Sequence, residues 1–148
     1  MSKKYRQGIY KPKHKHKYAG NKYPRYLSSW ELHFFRWCDN NINVVKWCSE
    51  NVIIPYISPL DNKVHRYMVD NIVHIKEGKN NITKYLIEIK PKKQTRPPSE
   101  HGNKKPTTLL YEKQMFAVNM SKWNAAKKWC DKHNYKFLIL TEDQLFNK

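Results

Sequence analysis

The sequence predicts an α/β domain in the order helix, three strands, helix, strand, and three observations carry that reading. Residues 85–90, Tyr-Leu-Ile-Glu-Ile-Lys, are apolar and β-branched and follow the turn formers Gly78, Asn80 and Asn81, so they read as a strand. A second apolar run, 63–75, lies on the other side of that turn and makes the pair a hairpin. Segments near 29–39 and 107–133 carry apolar residues at helical spacing.

Taken in order, the chain begins with a basic arm. Residues 1–26 hold nine Lys or Arg and no acid, and 11–17 have no apolar periodicity. Residues 1–22 are therefore expected to be a flexible or loosely docked arm that neutralises phosphates, with a single domain over 23–148. A helix over 29–39 is opened by Ser28 or Ser29, and Ser28 with Glu31 fits the S-x-x-E capping box. Leu32, Phe35 and Cys38 give it an apolar stripe. Residues 44–47 lead into a strand over 51–57, where Pro55 marks an edge or a strand end. Ser58 to Asn62 is turn chemistry.

The second strand runs to Ile75, and alternation puts Arg66, Met68 and Asp70 on one face. After the third strand, residues 91–106 carry four prolines, and six Lys or Arg from Lys90 onward face one acid. This reads as an irregular loop beside the site and a candidate DNA clamp carrying Lys92, Lys93 and Arg96. Helices are expected over 107–119 and, capped by Ser121, over 121–133, with Trp123, Ala126 and Cys130 turned to the core. A strand over 135–140 and a helix start at Thr141 complete the order.

The chemistry concentrates on the central hairpin. Leu86, Glu88 and Lys90 share one face of their strand, and charges inside an apolar strand are costly unless paired or metal-bound. A turn centred near Gly78 to Asn80 makes paired positions sum to roughly 156–160. Asp70 then falls opposite a position between Leu86 and Lys90. Two carboxylates with a lysine beside them suit metal-assisted hydrolysis, with Mg²⁺ or Mn²⁺ as the hard cation.

The pattern Asp70 … Glu88-Ile89-Lys90 resembles the PD-(D/E)XK nuclease superfamily, with Val69 standing where the named motif has proline. Ser28-Ser29-Trp30-Glu31, Trp37-Cys38-Asp39-Asn40-Asn41, Ile53-Ile54-Pro55-Tyr56 and His65-Arg66-Tyr67-Met68 add to it. So does Pro91-Lys92-Lys93-Gln94. Together they resemble the head-completion nucleases of large tailed bacteriophages, and are similar to the N-terminal catalytic domain of a transposon-encoded endonuclease. The resemblance implies a restriction-endonuclease-like αβββαβ core, a central mixed sheet flanked by helices. It implies that Asp70, Glu88 and the Ile89 carbonyl hold the metal, that Lys90 positions water or stabilises charge, and that Glu31 assists from the first helix. It also implies that Tyr111 and Gln114 approach the site.

Composition agrees with a polyanionic partner. The 148 residues carry a formal net charge of +17, which points first to nucleic acid. No run approaches the ~18 apolar residues of a membrane span, and no signal-peptide core opens the chain, so neither membrane nor secretion is expected. Three cysteines without a CxxC pair read as buried free thiols. The leading expectation is a Mg²⁺- or Mn²⁺-dependent endonuclease on double-stranded DNA, with exonuclease action left open and no small-molecule cofactor. By the resemblance, head or portal proteins are partners and the virion is the location. The alternative is a non-catalytic DNA- or head-binding morphogenesis protein on a nuclease fold. The transposon-type reading expects a further C-terminal domain after the nuclease core.

Overall fold

The computed structural model describes residues 7–146. In chain order they form β1 (Gly8–Ile9), β2 (Arg25–Tyr26), α1 (Ser29–Asn40), β3 (Val44–Ile57), β4 (Val64–Lys76), β5 (Ile82–Ile89), α2 (Pro106–His133), β6 (Lys136–Leu140) and α3 (Glu142–Leu145). From α1 to β6 this is the expected order of helix, three strands, helix, strand.

The sheet follows from the turns. Gly78, at φ 74°, supplies the left-handed residue that the β4–β5 connection needs. The two strands pair antiparallel from Lys76–Ile82 to Asn71–Ile87, and the same register continued one step past the last pair brings Asp70 across from Glu88. β3 pairs antiparallel with β4, and β6 pairs parallel with β5 after the α2 crossover. The result is a mixed sheet in the order β3-β4-β5-β6. Pro55 sits on the edge strand, where a residue without an N–H is tolerated.

Both faces are covered. On one, Cys48, Ile54, Tyr67, Val69, Ile72 and Leu86 pack against Trp123, Ala126 and Cys130 of α2. On the other, Val44, Trp47, Val73 and Ile87 meet Phe34, Phe35 and Cys38 of α1 and Leu145 of α3. Cys38, Cys48 and Cys130 are buried free thiols, as their pattern suggested.

The structure departs from the sequence expectations in four places. Residues 1–6 of the expected flexible arm lie outside the described residues. Residues 7–22, however, are a strap laid against α1 and β3. The buried Asp39 carboxylate accepts the Tyr10 hydroxyl at 2.6 Å and the backbone N–H groups of Lys13 and His14 at 2.7 and 3.0 Å. Lys17 is itself buried and donates to the carbonyls of Asp39 and Asn41 at 2.8 and 2.9 Å, satisfying acceptors left over at the end of α1. Tyr18 then forms a parallel bridge to Trp47. Polar residues that look too charged to collapse dock because one helix end supplies the missing charge and carbonyls.

Second, β3 is continuous from Val44 to Ile57 instead of starting at 51. A bulge at Glu50–Asn51, with Glu50 at φ 52°, absorbs the irregularity. Third, α2 is one 28-residue helix running through Ser121. Val118, Ala126 and Cys130 are buried on one face across that position, so packing overrides the cap signal. Fourth, the loop after β5 contains a short 3-10 turn at Lys92–Thr95.

Candidate active site

The site forms where β4 outruns its partner β5. Asp70 Oδ2 accepts the backbone N–H of Ile89 at 2.8 Å, so its side chain continues the ladder where the strand pairing stops. Glu88 is buried at 5% exposure. Its Oε1 accepts the Tyr67 hydroxyl at 2.6 Å, and its Oε2 lies 3.5 Å from Lys90 Nζ. The structure therefore brings Asp70, Glu88 and Lys90 together as the hairpin register requires, and it fixes Ile89 from its N–H side.

Alternation alone does not describe Asp70 correctly. Val69 and Ile72 both belong to the α2-facing core although they are three residues apart, so the period of two is broken at Asp70–Asn71. The break lies across from the Glu50–Asn51 bulge, between the rungs Ser49–Asn71 and Val52–Val69. The expectation that Arg66, Met68 and Asp70 share one face is corrected by this. Arg66 and Met68 lie on the open face of the β3–β4 ribbon, paired with Pro55 and Ile53, and Asp70 is turned to β5. Bulges commonly re-aim a side chain beside a site.

Glu31, in the first turn of α1, acts on the cluster through its charge. The Ser28 hydroxyl accepts the Glu31 N–H at 3.3 Å, and Glu31 Oε1 accepts the Leu27 N–H at 3.1 Å. Its carboxylate thus spans one residue beyond the ordinary capping box. Burial raises its pKa; the Leu27 N–H opposes this, and the charges of Glu50 and Glu88 add to the rise. Asp70 is pushed up to about 8, first by burial and then by Glu88, with Glu31 adding and the Ile89 N–H and Lys90 opposing. These acids feel one another, which is the electrostatic signature of a shared site.

Two further residues belong in this description. Glu50, on the bulge, carries an exposed carboxylate whose charge acts on Glu31; Ser-Glu-Asn inside an apolar strand was its only sequence signal. Asn71 is buried beside Asp70, and its Oδ1 has no hydrogen-bond partner. A buried acceptor without a donor is costly, and nothing in the sequence marks it.

The basic residues expected at DNA divide. Lys92 is tied to the start of α3, its Nζ 3.0 Å from Asp143 and its N–H bonded to Glu142 at 2.7 Å. Arg66, Lys93 and Arg96 are exposed. Tyr111 and Gln114 are also exposed on α2, and neither has a described hydrogen bond to the site.

Residues 41–142 match the family described as TnsA-like endonuclease N terminal. The chain is also 38% identical over 144 residues to the head completion nuclease of Enterobacteria phage T4, spanning 93% of this chain and 92% of that protein. With its α-βββ-α-β order and mixed sheet, the chain belongs to the TnsA-like endonuclease N-terminal family, on a restriction-endonuclease-like fold.

Proposed function

We propose that the protein is a divalent-metal-dependent DNA endonuclease acting at phage head completion, with double-stranded DNA as substrate. The observation that carries this reading is the bond from the Ile89 N–H to Asp70 Oδ2, which brings Asp70 to the Glu88–Lys90 segment, with Lys90 against Glu88. The relative named a head completion nuclease supports the setting, and with it a virion location and head or portal proteins as partners.

The donor chemistry fits a hard cation. Among the described residues no three His, Cys, Asp or Glu side chains form a closed cage. Instead, burial and then the charge of Glu88 push the Asp70 carboxyl toward its neutral form, a cost that a bound cation would relieve. Magnesium sites of this kind use one or two carboxylates and leave the remaining positions to water and substrate phosphate. Asp70, Glu88 and the Ile89 carbonyl would hold the ion. When bound, it supplies Lewis acidity and lowers the pKa of water.

The rest is the work of the chain. Lys90 stands against Glu88 with donors free to orient water or a phosphate oxygen, stabilising negative charge as it develops. Glu31 provides a further acceptor at the entrance. Arg66, Lys93 and Arg96 contact the phosphate backbone. Supercoiled plasmid incubated with Mg²⁺ or Mn²⁺ tests the reading. Cleavage is expected from wild type and lost in EDTA, in Asp70→Ala and in Lys90→Ala. Intact plasmid with salt-sensitive DNA binding would replace it with the morphogenesis-binder reading.

A further inference from the structure

We infer that Tyr67 is a positioning residue that sets the cation preference of the site by occupying one oxygen of Glu88. Tyr67 lies on β4, three residues before Asp70, with its ring in the α2-facing core at 4% exposure. Its hydroxyl donates to Glu88 Oε1 at 2.6 Å, and Lys122 of α2 sits 5.5 Å above the ring centroid. A ring held by the core on one side and a cation on the other has little freedom to turn away.

The consequence is an asymmetry in Glu88. Oε1 is engaged by the buried hydroxyl, while Oε2 faces Lys90 at 3.5 Å. The hydroxyl takes one lone pair of Oε1 and fixes the plane of the carboxylate, so Oε2 is the less encumbered oxygen and Glu88 is biased toward offering one oxygen over two. Ca²⁺ accepts bidentate carboxylates in flexible shells of 6–8 oxygens, roughly, whereas Mg²⁺ demands near-octahedral order. Biasing Glu88 toward a single oxygen therefore favours the smaller ion. The hydroxyl adds no charge of its own, so its effect is on geometry.

This inference rests on the metal reading above, and the test separates the two. Binding of Mg²⁺ and of Ca²⁺ is measured by calorimetry on the full chain without DNA, for wild type, Tyr67→Phe and Tyr56→Phe. Tyr56 also lies under Lys122, at 5.8 Å, but has no described bond to Glu88, and it serves as the packing control. Tyr67→Phe is expected to lower the ratio of Mg²⁺ to Ca²⁺ affinity about tenfold, in the range of partners that orient metal ligands; Tyr56→Phe leaves it unchanged. Thermal unfolding of the ion-free variants shows that the fold is retained. Equal weakening for both ions, or an unchanged ratio, overturns the inference while leaving the metal site standing. A wild-type chain that binds neither ion overturns both.

Discussion

Asp70 accepts the backbone N–H of Ile89, so an acid of one strand is bonded to the residue between Glu88 and Lys90 on the next. The bond needs an oxygen but not a charge. Asp70→Asn is accordingly expected to keep the fold and lose plasmid cleavage, while Asp70→Ala loses cleavage and also about 1–3 kcal/mol of stability from the orphaned N–H. Urea unfolding beside the cleavage assay distinguishes the two.

The same carboxylate predicts a pH dependence. Its folded value is raised to about 8 from an ordinary 3.8, so between those values the folded chain holds a proton that the unfolded chain has released. Stability of the ion-free protein therefore falls as pH rises through that window, and the loss is complete above the folded value. Urea midpoints in EDTA at pH 5 and pH 8.5 should show the fall in wild type and a smaller one in Asp70→Asn. Adding Mg²⁺ at the higher pH should restore stability by mass action.

Glu31 combines a structural and an electrostatic role that one substitution separates. Gln keeps an acceptor for the Leu27 N–H, so Glu31→Gln should change stability by less than about 0.5 kcal/mol. Cleavage should fall about 10–100-fold, as for residues that support a metal site from its periphery. Ser28→Ala is the converse: it removes the hydroxyl that accepts the Glu31 N–H and should cost about 1 kcal/mol. Thermal unfolding and cleavage rates on both variants check the separation.

DNA affinity should divide along the ion pairs. Lys93→Ala and Arg96→Ala are expected to weaken binding on any sequence and each reduce the salt slope by about one. Lys92→Ala should do less, because Lys92 is engaged by Asp143. Fluorescence anisotropy across a salt series reads both quantities.

The strap makes its own prediction. Asp39→Ala leaves the Tyr10 hydroxyl and two backbone N–H groups without their acceptor, a loss of about 3 kcal/mol at roughly 1 kcal/mol each. Trypsin should then cut after Lys13, Lys15 and Lys17, in a segment that wild type holds to the end of α1 through Asp39 and Lys17. Asp39 is held below the usual carboxylate range because these bonds outweigh its burial. Its stabilising contribution is therefore present above the unfolded value and lost as pH falls through the folded one.

The hairpin was the most legible part of the chain, because Gly78 and the flanking apolar runs leave little choice of register. That register alone brings Asp70 to Glu88. Thr141 also announced its helix: its hydroxyl accepts the Asp143 N–H, and Gln144 reaches back to it. Local signals of this kind are written within a few residues. What escaped was set by distant partners. The docking of residues 10–17 depends on Asp39, more than twenty positions away. The re-aiming of Asp70 depends on a bulge in the neighbouring strand with no glycine to mark it. Tyr67 reads as a core aromatic, and only the fold shows what its hydroxyl meets.

The strap has a practical consequence beyond its own stability. Ala19 donates to the Trp47 carbonyl at 2.9 Å, and Tyr18 runs alongside it, so the outer side of β3 is already occupied there. Trimming the arm for crystallisation or solubility would uncover unpaired backbone groups and a template for joining one molecule to the next. The segment most tempting to delete, for its charge, is thus the one that covers the β3 edge around Trp47.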